Sequence, residues 1–325
     1  MLERLIGLYG PSSRENSVKE FIEKELETVC QVSRDNIGNV IAHIPGNGKK
    51  VLLAAHMDEI GVMVTFIDDK GFLRFAPVGG LSVASLPFAR VKFPGGIIGV
   101  IAYPEKTELK DLKISDMYID IGACSKEEAE KLVGIGDMAE FVSSFHINGD
   151  TVMSGKLDDR AGCHILLNLA KKVKNPSCDL FLAFTVQEEV ALKGAGPAVF
   201  GTTPYMAIAV DVTDTGDTPD SEPMAVSLGK GAAIKVKDGR MVASPEVRDL
   251  LEKTCRENNI PYQLEILTGG TTDAAVMQVT AGGVLTGAVS VPTRYIHTTS
   301  ETASLKDIDA VEALLEKLLE RDELK

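Results

Sequence analysis

Three short apolar runs lie far apart in the chain, and each is followed at once by acidic or histidine residues. Residues 51–55 (VLLAA) lead into His56 and Asp58, residues 180–186 (LFLAFTV) into Glu188 and Glu189, and residues 206–210 (MAIAV) into Asp211. Because none of the runs alternates between apolar and polar positions, each predicts a strand buried on both faces, as in a parallel sheet. In open α/β sheets, ligands bind outside the carboxyl ends of the strands. The pattern therefore predicts that His, Glu and Asp side chains meet at one edge of a sheet.

The hydrophobic pattern changes character twice along the chain. The first and last parts alternate helical and strand-like patterns, which is typical of an α/β fold. The middle part has short strand-like pieces separated by turns that contain Gly and Pro, which is typical of a small barrel or sandwich. We therefore predict an α/β domain built from residues 1–65 and 155–325, interrupted by an inserted β-rich domain at residues 66–154.

Length, charge and cysteine content narrow the class of protein. A chain of 325 residues favours two domains. The net charge of −13, with no block of Lys or Arg, argues against a nucleic-acid partner, which needs a basic patch. No apolar run approaches the roughly 18 residues of a membrane span, and the first residues lack the apolar core of a signal peptide. Five cysteines without a CxxC motif are typical of reduced thiols, so we expect a cytoplasmic protein without a membrane partner.

Taken alone, most of the candidate residues have an ordinary structural interpretation. His56 fits a hydrogen-bonded histidine at a strand end, Asp158 an acid favoured at a helix N-terminus, and Asp211 a turn former. The pair Glu188 and Glu189 is less ordinary, because adjacent carboxylates at the end of an apolar strand repel each other and favour a bound cation. In extended backbone the two side chains point in opposite directions. One is therefore expected to be a metal ligand and the other a proton shuttle.

Taken together, the candidates indicate a pair of metal ions. With His297, which follows an apolar run at 284–291, the chain offers two histidines and three or four carboxylates. This is the ligand set of two zinc-like ions about 3.5–4 Å apart in aminopeptidases. Asp158 is suited to bridge two ions with its two oxygens, and Asp58 is suited to orient the second ring nitrogen of His56. Motifs of a serine hydrolase, a phosphate loop, a dinucleotide fold and an HExxH peptidase are missing.

Six segments, in the same order along the chain, carry a resemblance to a known family: residues 9–15 (YGPSSRE), 55–61 (AHMDEIG), 155–160 (GKLDDR), 186–189 (VQEE), 210–213 (VDVT) and 295–297 (YIH). In them the chain resembles the tetrahedral (TET) aminopeptidases, di-metal peptidases that include glutamyl aminopeptidases and members labelled endoglucanase. The resemblance implies an α/β fold, a Rossmann-like zinc-exopeptidase sheet, with an inserted small β-barrel used in dimerisation. It also implies a homo-oligomer, with a dodecamer favoured over a dimer or an octamer.

The resemblance implies a role for each candidate residue. Two divalent metal ions per subunit, Zn or Co, would be held by five residues, with Asp158 bridging them: His56, Asp158, Glu189, Asp211 and His297. His56 and Asp211 would hold one ion, and Glu189 and His297 the other. Glu188 would be the general base, and Asp58 would orient His56.

Two loops depart from the family pattern, and both are expected to contact substrate. Thr-Thr follows His297 where many members have Ser-Pro, and the loop at residues 269–273 (GGTTD) carries an extra Thr. Thr271, Asp273 and Arg294 are therefore predicted to bind substrate. The preferred N-terminal residue of the substrate stays open at this point.

We predict a metallo-aminopeptidase that hydrolyses N-terminal residues from short peptides through a metal-activated water. One alternative is an endoglucanase-type glycoside hydrolase. Such enzymes use two carboxylates and aromatic platforms for sugars, whereas this chain has no Trp and 5% aromatic residues. A second alternative is a non-catalytic metal-binding scaffold, against which the acid at Glu188 argues.

Overall fold

The protein consists of a large mixed sheet covered by helices and of a separate closed barrel. The computed structural model describes all residues, 1–325. The helices are α1 (Leu2–Ile6), α2 (Asn16–Leu26), α3 (Lys126–Glu130), α4 (Leu157–Lys172), α5 (Ala195–Thr202), α6 (Pro245–Asn258), α7 (Ala274–Met277) and α8 (Leu305–Leu319). No helix combines the length and the apolar character that crossing a membrane requires.

Seventeen strands form the two sheets. They are β1 (Gln31–Arg34), β2 (Val40–Ile44), β3 (Lys50–His56), β4 (Gly61–Ile67), β5 (Leu73–Val78), β6 (Arg90–Lys92), β7 (Ile98–Ala102), β8 (Tyr118–Asp120), β9 (Met138–Phe141), β10 (His146–Asn148), β11 (Thr151–Ser154), β12 (Asp179–Thr185), β13 (Met206–Thr213), β14 (Ala232–Lys237), β15 (Tyr262–Ile266), β16 (Leu285–Arg294) and β17 (Glu301–Ser304).

The three apolar runs form neighbouring parallel strands in the middle of the large sheet, as the sequence predicts. β3 lies between β12 and β13, and Ala54 pairs with Ala183 on one side and Ala209 on the other. β16 continues the parallel arrangement beyond β13. The carboxyl ends of these strands therefore lie at the same edge of the sheet, which is where ligands bind in such folds.

Helices cover both faces of these central strands, which explains why the runs do not alternate. Successive residues of a strand point to opposite faces. Leu53 belongs to the core under α2, α4 and α8, whereas its neighbour Leu52 belongs to a second core under α5 and α7. Both side chains are fully buried, and each such burial stabilises the fold by about 1.5–3 kcal/mol.

The inserted domain is a closed barrel with its own core of 17 buried residues. Its strands follow the order β4-β5-β8-β7-β6-β9, so the barrel begins at Gly61 and ends at Phe141 rather than at residues 66 and 154. β10 and β11 follow in the chain but join the large sheet, because β11 pairs with β17. That pairing joins residues far apart in the chain, and the local pattern of short β-like pieces carries no sign of it.

Candidate metal centre

The five residues predicted to bind metal lie together in two groups that share Asp158. The donor atoms of His56, Asp158 and Asp211 all lie within 4.8 Å of one another, as do those of Asp158, Glu189 and His297. Asp158 faces the groups with different oxygens. Its Oδ1 is 2.9 Å from His56 Nε2, and its Oδ2 is 3.3 Å from His297 Nε2.

Different kinds of element supply the five side chains. His56 ends β3 and Asp211 lies within β13, so two central strands of the sheet place them directly. Asp158 lies in the first turn of α4, and Glu189 follows β12 in a turn. His297 lies in the loop between β16 and β17, with φ at 61°. Strands therefore supply His56 and Asp211, whereas a turn and a loop supply Glu189 and His297.

The donor set and its spacing fit divalent cations. Donor atoms around a tetrahedral zinc ion lie about 3.3 Å apart, since the bonds are near 2.0–2.1 Å. His297 Nε2 lies 3.2 Å from Glu189 Oε2 and 3.3 Å from Asp158 Oδ2. Glu189 Oε1 is buried without a hydrogen-bond partner, although buried polar atoms normally have one. Imidazole and carboxylate ligands suit Zn²⁺ and Co²⁺.

Burial shifts the pKa values of these groups away from their charged forms, and neighbouring groups of opposite charge oppose it. Burial raises the pKa of Asp211 to about 8, and it raises the pKa of Glu188 well above its usual range, although His56 opposes this shift. For His297, burial alone lowers the pKa, but Asp158 and Glu189 raise it to about 12. Metal ligands bind in their deprotonated forms, so a cation at this cluster would compete with protons for the same groups.

Asp58 holds the turn that carries the two adjacent glutamates. Its buried carboxylate accepts hydrogen bonds from the backbone N–H of Glu188 at 2.9 Å and of Glu189 at 3.2 Å, and from Ser12 Oγ at 2.6 Å. It also faces His56, whose Nδ1 lies 3.5 Å from Asp58 Oδ1 and 3.2 Å from the Asp58 backbone oxygen. One side chain thus connects both strand ends.

Two further buried acids, neither of them predicted as a site residue from the sequence, support the site. Asp159 accepts a hydrogen bond from the backbone N–H of His56 at 3.1 Å. Glu301 accepts one from the backbone N–H of Asp158 at 3.1 Å and one from that of His297 at 3.0 Å. The bonds to His56 and Asp158 join segments far apart in the chain, so the only local signal was that Asp159 and Glu301 lie near Asp158 and His297 in the sequence.

A cavity of about 440 Å³ opens over both groups. Glu188 lines this cavity but belongs to neither group of candidate ligands. Asp214, Arg240 and Thr271 also line it. A second cavity of about 390 Å³ adjoins it and shares Asp214.

The three residues predicted to bind substrate lie in different settings. Thr271 lines the main cavity. Arg294 lines the second cavity, where its guanidinium donates two hydrogen bonds to Asp217 at 2.9 and 2.7 Å. Asp273 is buried and lines neither cavity; it accepts a hydrogen bond from Thr185 Oγ1 at 2.6 Å. Two of the three side chains therefore reach cavity walls.

Comparison with known proteins identifies the family. Residues 38–314 match the profile of the M42 glutamyl aminopeptidase family. A protein of Acetivibrio thermocellus that provisionally carries the name aminopeptidase is 51% identical, over 98% of this chain and 97% of its own. The lysyl aminopeptidase of Pyrococcus furiosus is 34% identical, over 98% of this chain and 96% of its own.

A solved structure agrees with these relatives. The TET1 peptidase of Pyrococcus horikoshii superimposes with a TM-score of 0.88 at 34% identity, over 98% of both chains. That protein is described as able to assemble into a tetrahedron or a large octahedral shell. These matches confirm the resemblance seen in the sequence and the fold expected from it. The chain belongs to the M42 glutamyl aminopeptidase family and is a peptidase that hydrolyses peptide bonds.

Proposed function

We propose that this peptidase uses two divalent metal ions to remove N-terminal residues from short peptides. The observation that carries the proposal is the position of Asp158, whose two oxygens face two separate His–carboxylate groups. Such paired sites are found in aminopeptidases. Zn²⁺ and Co²⁺ are the ions that this ligand set favours.

Glu188 is the proposed general base. When bound, the two ions would lower the pKa of a water molecule towards about 7 and polarise the scissile carbonyl. Glu188 lines the cavity beside both groups, and Asp58 holds its backbone in place. Its carboxylate accepts the proton of the attacking water and donates it to the leaving amine.

The cavity lining supports a substrate with a free amine rather than a sugar. Asp214 joins the candidate ligands and Glu188 on the cavity wall. A cationic α-amine is attracted to such an acidic lining. No Phe, Tyr or Trp lines the cavity, whereas a site that binds polysaccharide by stacking needs aromatic faces. These features favour an aminopeptidase over an endoglucanase.

Mass spectrometry of a decapeptide and its N-acetylated twin tests this function. Acetylation removes the charge of the α-amine. We expect a ladder that shortens one residue at a time from the N-terminus, a strong loss of cleavage on the acetylated peptide, and no release from carboxymethyl-cellulose. Internal fragments, or equal cleavage of both peptides, would contradict the proposal. Activity that survives exhaustive chelation, with elemental analysis showing metal-free protein, would contradict its metal dependence.

We also propose that the chain forms a homo-oligomer, with a dodecamer favoured. The tetrahedron described for the Pyrococcus horikoshii relative supports self-association, and another TET1 structure, at 35% identity, is described as a dodecamer. The barrel carries exposed apolar side chains, among them Phe88 at 67% and Ile98 at 44% exposure. Sedimentation of the wild type and of Phe88→Glu is the test. A monomeric wild type would contradict the proposal, and a smaller particle for the variant would place a contact on the barrel.

A further inference from the structure

The inserted barrel reaches into the candidate metal centre with one backbone carbonyl. The carbonyl oxygen of Gly80 lies 2.7 Å from Nδ1 of His297. A carbonyl only accepts hydrogen bonds, so Nδ1 must carry the hydrogen. The other ring nitrogen, Nε2, then faces Asp158 and Glu189. An acceptor on the second nitrogen is the usual device that orients a metal-binding histidine.

This approach depends on the absence of a side chain at two successive residues. A Cβ atom on Gly80 would lie 3.1 Å from His297 Nδ1 and 3.2 Å from its Cε1. A Cβ atom on Gly79 would lie 2.8 Å from Ile60 Cγ2 and 3.1 Å from Glu189 Oε2, and Gly79 has φ at 85°. The 79–80 segment therefore lies beside two of the three donors in the His297 group, and an added methyl group at either glycine would crowd one of them.

Contacts near the base of the barrel connect the 79–80 segment with the sheet domain. The segment directly follows β5, in which Val78 pairs with Gly61 at the entry to the barrel. Lys156, two residues before Asp158, forms a buried ion pair with Glu140 on the barrel strand β9. The position of the carbonyl is thus tied to the segment that carries the shared ligand.

We propose that the 79–80 segment of the inserted barrel positions His297 and thereby sets the metal affinity of the group formed by Asp158, Glu189 and His297. The barrel is then a working part of the site, besides any part it plays in self-association. The inference rests on the proposed metal site. It predicts that a change in the barrel alters one metal position and spares the position at His56 and Asp211.

Metal titration of Gly80→Ala is the first experiment. The wild type, Gly80→Ala and the control Gly134→Ala are stripped with a chelator and titrated with Zn²⁺ against a fluorescent competitor. Gly134 also lies in the barrel, has no positive φ, and a Cβ there would lie no closer than 3.6 Å to other atoms. For Gly80→Ala we expect one of two sites to weaken by about 10–100-fold, the range for lost orienting partners, and the other to stay unchanged.

The outcomes separate the two proposals. A wild type that binds no Zn²⁺ contradicts the metal site itself. A wild type that binds two ions, with Gly80→Ala and Gly134→Ala both equal to it, overturns the role of the barrel. Equal weakening of both sites in Gly80→Ala also overturns it, because the effect would then be general.

A second measurement needs no variant of the barrel. The chain has five histidines, so ¹⁵N-histidine labelling gives few signals, and His297→Gln assigns one of them. In the Zn²⁺-loaded wild type we expect His297 to carry hydrogen on Nδ1 and to bind zinc through Nε2. Zinc on Nδ1 would break the hydrogen bond to Gly80 and overturn the proposal, even if Gly80→Ala fails to fold.

Discussion

The two halves of the candidate metal centre are built in different ways. The half with His56 and Asp211 stands on two adjacent central strands, and the His56 side chain is 2% exposed. The half with Glu189 and His297 stands on a turn and a loop, and the His297 side chain is 31% exposed. Backbone acceptors reach His56 only from within the sheet domain, whereas His297 is oriented by a carbonyl of the barrel.

From this difference we infer that the half on the strands is the more rigid one and the half on the loops the more adjustable one. Central strands with both faces buried open only with global unfolding, whereas loops move at lower cost. The half on the strands is therefore expected to hold its ion tightly. The half on the loops depends on partners from several segments, and each partner offers a way to tune it. The following predictions test this comparison.

The largest effect is expected from a substitution that changes no candidate metal ligand in either half. Glu188→Gln removes the proposed base but none of the candidate ligands. Turnover should fall by on the order of 10²–10⁴, while elemental analysis still finds two ions per chain. The matched variant is Glu189→Gln, which should lose the ion of its own half. The reverse pattern of metal content would show that the roles of the two glutamates are exchanged.

Substitutions of the two supporting acids, Asp159 and Glu301, are expected to have smaller effects and to distinguish the two halves by their metal affinity. Asp159→Asn weakens the support of His56, and Glu301→Gln weakens that of Asp158 and His297, because an amide has one acceptor oxygen instead of two. We expect Asp159→Asn to weaken the His56 half by about 10–100-fold. Glu301→Gln should weaken the His297 half more than the His56 half, because Glu301 supports His297 as well as the shared ligand Asp158. Titration with Zn²⁺ measures both sites in each variant, and a Glu301→Gln variant that weakens mainly the His56 half would contradict the division.

Stepwise removal of metal from the wild type should empty the half on the loops before the half on the strands. Dialysis against increasing chelator should pass through a form with one ion per chain, emptied at the His297 half. We expect the two steps to differ by about tenfold in free chelator, the lower end of the range for orienting partners. Elemental analysis counts the ions, and ¹⁵N signals of the two histidines show which half is empty. Loss of both ions in a single step would count against the comparison.

The smallest effect is expected outside both halves. Arg294 is paired with Asp217 and lines the second cavity, so Arg294→Ala should leave both ions in place. We expect a rise in KM of about threefold at most and a loss of stability of about 1 kcal/mol or less, as for partly exposed ion pairs. Steady-state kinetics with a tripeptide measures the first. A collapse of kcat would place Arg294 in the reacting part of the site.

The half on the strands could be predicted because its residues directly follow strongly apolar runs in the sequence. A fully apolar run followed by His56 or Asp211 marks a buried parallel strand and its functional end in the same few residues. The order β12-β3-β13 does not follow from these signals, because β3 lies between two strands that are successive in the chain. Glu188 and Glu189 were visible for the same reason, since they follow β12 directly.

For the other half, the sequence identified the residues but not their arrangement in space. His297 was identified by the resemblance and by a preceding apolar run, but its orientation depends on Gly80, which lies 217 residues away in the chain. Asp159 accepts a hydrogen bond from the backbone N–H of His56 and Glu301 from that of Asp158, both in distant segments, and an acid that accepts such bonds looks like any other acid in the sequence. Asp273 was expected at the substrate, yet the structure buries it against Thr185.

The sequence by itself determined the strands, the interruption by a β-rich insertion and the residue types that a metal pair needs, because hydrophobic periodicity and strand-end chemistry are local properties. Only the tertiary structure decided which oxygen of Asp158 faces which histidine, where the barrel begins and ends, and that the barrel contributes a carbonyl to the site. Those features arise from contacts between distant segments. Their distances depend on how whole domains pack, which no local pattern records.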